Sequence, residues 1–389
     1  MPSPRDRQAR LATYVVYGVQ GLSFATLLVQ VAALQAKHGL GEGELTVLLL
    51  IVPVFAGIGS VAAGTFAARL GSKLLLRVAQ PAVALAVVLA GLAPSVPLLV
   101  PALLLFGLAV GAVDAGMNMQ GVAVERRYDR AVLNGFHCVW SALSLIGALW
   151  VSAIGAALPL PVTMAIPMVL AVAGSLYCGP TLYTVAEEQV PGGAAQAAGR
   201  LPWKPMIPLC LAMFFLYIGD SAVSNFNTVF MSKELGANAN VVALAYAAYQ
   251  AATLVVRLGG DLAVRTYGPA AIVRIGGVLA TLGFAGVVLA PSQPLGIAAF
   301  GLTGLGLAVI APQSFSAAGR LDPAGTGVAI ARVNLFNYVG FIVGAALVGP
   351  IADATDLRVA FVAPLVLAGA IVLLAPGFQP KQAAEPSNT

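Results

Sequence analysis

Long apolar runs alternate with short polar breaks along the whole chain. Interrupted by Gly, Pro and charged residues, the runs number twelve: 11–36, 44–68, 74–94, 97–123, 132–157, 160–183, 205–232, 240–264, 270–290, 293–317, 325–352 and 356–378. Each is long enough to cross a bilayer core about 30 Å thick as a helix rising about 1.5 Å per residue. A transmembrane barrel would instead alternate apolar and polar residues in segments of about ten. The pattern therefore predicts an all-α membrane protein with twelve transmembrane helices. The 389 residues allow about 32 per helix and loop, which leaves no room for a soluble domain. No short signal-peptide pattern ending in a cleavage site precedes the first run, so that run is expected to remain a membrane span.

The longest polar interruption, 184–204, holds Glu187, Glu188, Pro191, Gly192, Gly193 and Arg200. It divides the chain into six-helix bundles at 1–183 and 205–381, with an inter-bundle loop between them and a tail at 382–389. The halves resemble each other. Tyr17-x-x-Gln20 matches Tyr217-x-x-Asp220, Gly64 to Arg69 matches Gly260 to Arg265, and Phe106-Gly107-Leu108 matches Phe300-Gly301-Leu302, at offsets of 200, 196 and 194. Three matches in order at a near-constant offset predict a duplicated unit, hence two pseudo-symmetric bundles.

Composition agrees with this picture. The chain is 59% hydrophobic and 9% charged, against about 25% charged in soluble domains, and disordered chains are richer in charge still. The net charge of +5 does not mark a nucleic-acid partner, because the basic residues sit in small groups at helix ends. With both termini inside, fifteen of the 20 Lys and Arg are cytoplasmic. Only Lys37, Lys233 and Arg358 are outside, and Arg257 and Arg332 lie within spans. This asymmetry predicts a multi-pass protein of the inner (plasma) membrane with both termini cytoplasmic. Cys138, Cys178 and Cys210 lie in apolar stretches without a Cys-x-x-Cys pair, and His38 and His137 are far apart. Neither a disulfide framework, a metal site nor a cofactor is expected. There is no nucleotide-binding loop, no selectivity-filter signature and no nucleophile–base constellation, so neither an ATP-driven pump, a potassium-type channel nor an enzyme is indicated.

The segment Gly64-Thr-Phe-Ala-Ala-Arg69-Leu-Gly71-Ser-Lys73 between helices 2 and 3 resembles the major facilitator superfamily's Gly-x-x-x-Asp-Arg-x-Gly-Arg-Lys. The resemblance extends over essentially the whole chain and implies that family's fold, two six-helix bundles. The motif's acid is replaced by Ala68; Arg257 and Asp261, spaced i, i+4 near the inner end of helix 8, can pair on one face and stand in for it. The run from Asp114 to Asn118, Asp-Ala-Gly-Met-Asn, looks closest to the fucose permease branch. So do Asn134 and His137 of helix 5 and the acid of helix 7. That branch has an essential carboxylate at this place in helix 4, which the resemblance puts on Asp114. Its helix 1 acid is Gln20 here, so a two-carboxylate scheme on helices 1 and 4 does not carry over. Helix 5 lacks the Gly-Pro motif of many drug exporters.

A charge near the bilayer centre costs at least about 2.5–3.5 kcal/mol, so it must face the interior and find a partner. Asp114 lies about 16 Å from Glu125 along helix 4, near the midplane, with Asn118 one turn away on the same face. It is the first candidate for carrying a coupling proton; the plain alternative is an acid satisfied by neighbouring helices. Asp220, about 22 Å into helix 7, is followed by Ser221, Ser224, Asn225 and Asn227. That polar run reads as an interrupted helix lining a watery cavity, with Asp220 binding solute and serving as a second proton site, or as polar glue between helices. His137, about 10 Å into helix 5, can hydrogen-bond a solute or simply pack, and Trp140, about one turn further, can stack on a sugar face but reads more readily as interface packing. Asn334, Asn337 and Tyr338 form an i, i+3, i+4 stripe in helix 11, with Asn334 in the place of His137 after a short shift. Gln20, Gln30, Gln250, Gln313 and Asn118 complete the cavity candidates. Arg69, Lys73, Arg130, Arg257, Asp261 and Arg332 are the candidates for a cytoplasmic gate, Arg332 by pairing with Asp261 or else by snorkelling. Arg126, Arg127 and Arg130 read first as topology signals on the helix 4–5 loop.

Together these residues point to a proton-coupled secondary transporter of a small polar organic solute, such as a sugar-like metabolite, working by alternating access. The expected partners are that solute, a proton (Na⁺ being the alternative ion) and the lipid bilayer, with the chain acting as a monomer. Two other readings are an exporter exchanging protons for amphipathic compounds and a non-transporting receptor on a transporter fold.

Overall fold

The computed structural model describes residues 2–155, 157–188 and 201–380. Twelve helices there are long and apolar enough to cross a membrane. They are α1 Pro4–His38, α2 Gly43–Leu70, α3 Ser72–Leu92, α4 Val96–Tyr128, α5 Leu133–Ile154 and α6 Leu160–Thr181 in the first half. The second half holds α7 Lys204–Lys233, α8 Val241–Tyr267, α9 Pro269–Leu289, α10 Gln293–Leu321, α11 Val328–Ala354 and α12 Leu357–Phe378. Several outrun their apolar stretches because polar residues finish them. Ser3 accepts from the Asp6 N–H while Asp6 accepts from the Ser3 N–H, so α1 begins at Pro4. Most of the connecting loop, 189–200, and the 382–389 tail lie outside the described residues.

The expected interruption of helix 7 is not found: Ile207–Lys233 is one continuous α-helix. The Ser and Asn side chains that suggested a break bond within or beside their own helix, Asn225 to Ser221 O and Asn227 to Val223 O. The breaks fall instead in α1 at Gln30 and in α10 between Leu307 and Ile310.

Within the first bundle α2 packs on α4, α1 on α5, and α3 on both α4 and α6. The second repeats this with α8 on α10, α7 on α11, and α9 on both α10 and α12. The bundles meet where α2 touches α11 and α5 touches α8. The duplication is visible in the backbone. Gly71 (φ 79°, ψ 156°) and Gly268 (φ 79°, ψ 158°) turn the chain into α3 and α9, and both need the left-handed freedom of glycine. Ser95 (φ −151°, ψ 159°) and Ser292 (φ −152°, ψ 158°) precede α4 and α10. Gly107 lets α4 approach Val52 O of α2, and Gly304 lets α10 approach Tyr249 O of α8. All of these pairs, including Val52 with Tyr249, are 197 positions apart. The repeat is therefore in register at 197, and the partner of Phe106-Gly107-Leu108 is Thr303-Gly304-Leu305 rather than Phe300-Gly301-Leu302. Close backbone approach, not the aromatic ring, defines the equivalence. The same spacing sets Asn334 opposite His137 with no shift.

Both termini lie on one face, called here the terminal face. Arg5 there bonds Glu187, and Arg320 bonds Phe378 O.

Helix contacts this close leave no space for added atoms. A Cβ on Gly111 would stand 1.9 Å from Ala56 O, whereas one on Gly259 would have nothing within 4 Å. Gly111→Ala is expected to cost about 1–3 kcal/mol through overpacking. Gly259→Ala is expected to leave stability unchanged or raise it by up to about 1 kcal/mol through helix propensity. Thermal melting of the two purified variants in detergent measures the contrast.

Candidate functional site

Polar side chains gather in two layers between the bundles. The first is near mid-depth. Asp114 of α4 accepts from Gln20 Nε2 of α1 at 3.0 Å and from the Tyr338 hydroxyl of α11 in the opposite bundle. Asn118 does not bond the Asp114 carboxylate; it donates to the Asp114 carbonyl at 2.7 Å and accepts from Tyr17 OH at 2.8 Å, and so braces α4 against α1. Across the interface, Asp220 Oδ1 of α7 accepts from Tyr249 OH of α8 at 2.5 Å. Arg257, two turns further along α8, bonds the Ser141 hydroxyl of α5 and stands close enough to Asp220, Tyr217 and Tyr249 to interact electrostatically with all three.

The second layer closes the terminal face. Asp261 of α8 reaches across to α5, where its carboxylate accepts from Asn134 N (2.9 Å), Asn134 Nδ2 (3.0 Å) and Gly135 N (3.0 Å). Helices leave their first N–H groups without partners and their N-termini partly positive, so a carboxylate there is both an acceptor and a counter-charge. Glu125 of α4 accepts from Val132 N at 2.9 Å and from Ser316 of α10. Arg126 donates to Glu188 O, Gly319 O and Asp322 O, and so spans both bundles. Arg265 donates to Ala131 O at 3.0 Å. Asp322 in turn accepts from Gly327 N at 2.7 Å at the start of α11. Further hydrogen bonds between the bundles, Ser60 to Ala331 O and Asn334 to Ser60, lie between this layer and the Asp114–Tyr338 level.

The start of the connecting segment is fastened here too. Glu188 accepts from Ser72 N at 3.0 Å, from the Ser72 hydroxyl, and from Gln120 Nε2 at 2.6 Å. Burial pushes its carboxyl up to about 7, against the pull of the Ser72 bonds. Its neighbour Glu187 also feels burial. The Arg5 guanidinium at 2.8 Å and the Thr184 N–H and hydroxyl outweigh this and hold Glu187 down at about 2.

The candidates read from the sequence divide accordingly. Asp114, Gln20, Asp220, Tyr338 and Arg257 come together at mid-depth. Gln250 is exposed on the same stripe of α8 as Arg257, two turns toward the opposite face. Asn337 is half-buried, and Asn225 is exposed about 140° around α7 from Asp220. Asn227 is buried, and its Oδ1 lacks a partner. His137 is buried in the terminal half, edge-on to Tyr17 at 5.2 Å and stacked on Phe315 of the other bundle at 6.2 Å. Gln313 is buried in the terminal segment of α10, and Gln30 is buried at the α1 break. Asn334 donates to Ser60 of α2 at 3.0 Å and so joins the bundles. Trp140 lies against Phe24 with ring centroids 6.1 Å apart.

The gate differs most from expectation. Arg257 and Asp261 do not pair, because Asp261 is turned to the N-terminus of α5 and Arg257 to Ser141. Arg332 neither pairs with Asp261 nor snorkels free: it donates to Leu201 O at 2.9 Å and lies over the Trp203 ring at 4.5 Å. Lys73 donates to Pro180 O within its own bundle, and Arg69 and Arg130 are exposed, Arg130 over the Tyr128 ring. Besides Asp261, the bonds at the terminal face are made by Glu125, Arg126, Asn134, Arg265, Ser316 and Asp322. Their positions at the ends of α4, α5, α8 and α10 are the sequence signal that marks them.

Comparison with known proteins places this geometry. Residues 209–389 match the family model of the Major Facilitator Superfamily. The chain is similar to "Uncharacterized transporter y4wD" of Sinorhizobium fredii, with 28% identity over 92% of this chain and 95% of that protein. Among solved structures it is similar to FucP in the outward conformation, with a TM-score of 0.78 at 13% identity over 95% of this chain and 98% of FucP. It is also similar to the proton:xylose symporter XylE, with a TM-score of 0.71 at 14% identity over 96% and 95% of the two chains.

Two outcomes are expected of the closing layer. Asp261→Ala removes three inter-bundle acceptor contacts. Cys138, one turn along α5 from Asn134, should then react with a maleimide about tenfold faster in a background lacking Cys178 and Cys210, as a loss of about 1.4 kcal/mol implies. An unchanged rate would mean that Asp261 does not hold the layer shut. Glu188 has a carboxyl raised from 4.5 to about 7, so its contribution to stability is full below about 4.5 and is lost as pH rises through about 7. The melting temperature should therefore fall between pH 5 and 8, and Glu188→Gln should flatten that slope. Glu187, lowered to about 2, loses its contribution only as pH falls below 4.5 and leaves this window untouched.

Proposed function

We propose that the chain, whose residues 209–389 match the Major Facilitator Superfamily, is a proton-coupled secondary transporter that moves a small polar organic solute across the inner (plasma) membrane by alternating access. The observation that carries this reading is Asp114, a carboxylate within a membrane helix whose hydrogen bonds run to Gln20 in its own bundle and to Tyr338 in the other. A charge-assisted hydrogen bond is about twice as strong as a neutral one. Protonation of Asp114 thus weakens the tie to Tyr338 and lets the bundles rock, so that the proton and the opening of the site are coupled. Asp220, held by Tyr249, is the second proton site.

Support also comes from the proteins that share the fold: XylE is named a proton:xylose symporter and FucP a fucose:proton symporter. The positive-inside asymmetry makes the terminal face cytoplasmic, with residues 184–204 as the loop joining the bundles there. The mid-depth layer is then reached from outside while the cytoplasmic layer stays closed. Solute meets Asp220, Tyr217, Gln250 and Asn337 on entry. Release inward requires Asp261 to leave α5 and Arg126 to leave the α10–α11 turn. The protein works as a monomer, each chain enclosing its own path.

Proteoliposomes loaded with a pH dye test this reading against a panel of sugars, sugar acids and amines. A solute that drives proton entry is expected, and Asp114→Asn should abolish gradient-driven uptake while retaining exchange of solute across the membrane. Full gradient-driven uptake by Asp114→Asn would reject the assignment of the proton to Asp114.

A further inference from the structure

Arg257 is the one cation at the mid-depth layer, and it has no ionic partner. Two ion pairs form within 4.0 Å among the described residues, Arg5–Glu187 and Arg358–Glu234, and neither involves it. Its Nη1 bonds the Ser141 hydroxyl, while its Nε is buried with no hydrogen-bond partner. A guanidinium within a membrane is retained only where an anion or a wet cavity compensates it.

The neighbouring acids are committed elsewhere. Asp114 holds Tyr338 and Gln20, and Asp261 caps α5. Asp220 gives Oδ1 to Tyr249 and stays beyond ion-pair contact with Arg257. The repeat sharpens the point. Ser60, the counterpart of Arg257 at the 197 spacing, is satisfied by Ala331 O and by Asn334. Only the second half places a charge here, and among the described residues no carboxylate pairs with it within 4.0 Å.

The surroundings fit a hydroxylated ligand. Tyr246 is stacked on Tyr249 at 6.2 Å, and Tyr217 stands beside Arg257. Thr253, one turn away on the Arg257 stripe, has a buried Oγ1 without a partner. Gln250 lies exposed on that stripe.

We infer that Arg257 is a specificity-determining residue that receives the carboxylate of a small hydroxylated organic acid, such as a sugar acid or hydroxy acid. The planar guanidinium fork matches a carboxylate with two parallel hydrogen bonds, which a lysine ammonium cannot reproduce. The hydroxyl groups of the solute then face Thr253, Gln250 and the tyrosine ring. This deepens the transporter reading and rests on it for the location of the cavity.

The test uses the purified full chain and matched trios of ligands: sugar and hydroxy acids, their neutral polyols and their amino analogues, with D-glucuronate, D-glucose and D-glucosamine as the first set. Binding is read as thermal stabilisation in detergent. Stabilisation by carboxylates is expected, with affinity falling at least tenfold in Arg257→Gln and part of it kept in Arg257→Lys, which retains the charge and guards against a folding defect. Stabilisation by neutral or amino members alone, by no carboxylate, or by a carboxylate indifferent to Arg257→Gln would overturn the inference. Proton flux with each binding solute separates this from the transporter reading. A neutral solute that drives proton entry leaves the transporter standing and removes the anion site. A carboxylate bound through Arg257 without flux does the reverse.

Discussion

The carboxylate of Asp261 joins two helices that belong to different bundles. It is the partner that the N-terminus of α5 lacks within its own helix. A helix start buried at an interface without acceptors would be costly, so α8 and α5 are held together wherever this contact is made. The rest of the observed conformation depends on it. With Asp261 in place, Arg265 meets Ala131, Gly260 lies against Asn134, and Glu125 and Arg126 come within reach of α10. The bundles are therefore held together at the terminal face by backbone caps more than by ion pairs.

This closure is made of separable contacts. Cap bonds are local and directional, and each carboxylate or guanidinium that lets go can be solvated at the membrane surface. The mid-depth layer uses different chemistry. There the bundles are joined by Tyr338 on Asp114, a group that can change its charge, and by Arg257 on Ser141. The two layers are mechanically connected because α11 carries Tyr338 and Asn334, and α8 carries Arg257 and Asp261. Movement of either helix alters both layers. Glycine contacts such as Gly111 on Ala56 and Gly344 on Ile218 hold the helices of each bundle in close contact.

Asymmetry between the repeats locates the chemistry. The same backbone turns recur 197 residues apart, and the same helix pairs pack in both halves. Against that shared frame the side chains diverge at a few places: Ser60 against Arg257, His137 against Asn334, and Gln20 against Tyr217. A duplicated scaffold with unlike residues at equivalent positions gives the mid-depth layer two chemically different sides, an acid on α4 and a guanidinium on α8.

Much of this was legible in the sequence because it is local. The number of helices follows from the length of apolar runs, the terminal face from where Lys and Arg collect, and the depth of Asp114 from counting residues along one helix. Polar residues at mid-helix were recognisable because hydrocarbon does not tolerate them singly. What could not be read was partnership. Arg257 and Asp261 share one helix at the spacing of an ion pair, yet each is turned to a different group on α5. Arg332 found a carbonyl and an indole rather than an acid. The Asn and Ser run of α7 proved compatible with an unbroken helix. A side chain's partner is set by what the neighbouring helix brings within about 3 Å, and helix-to-helix placement is a property of the packed bundles. Pattern along the chain decided which segments cross the membrane and which residues are too polar to face lipid; only packing decided which of those residues meet.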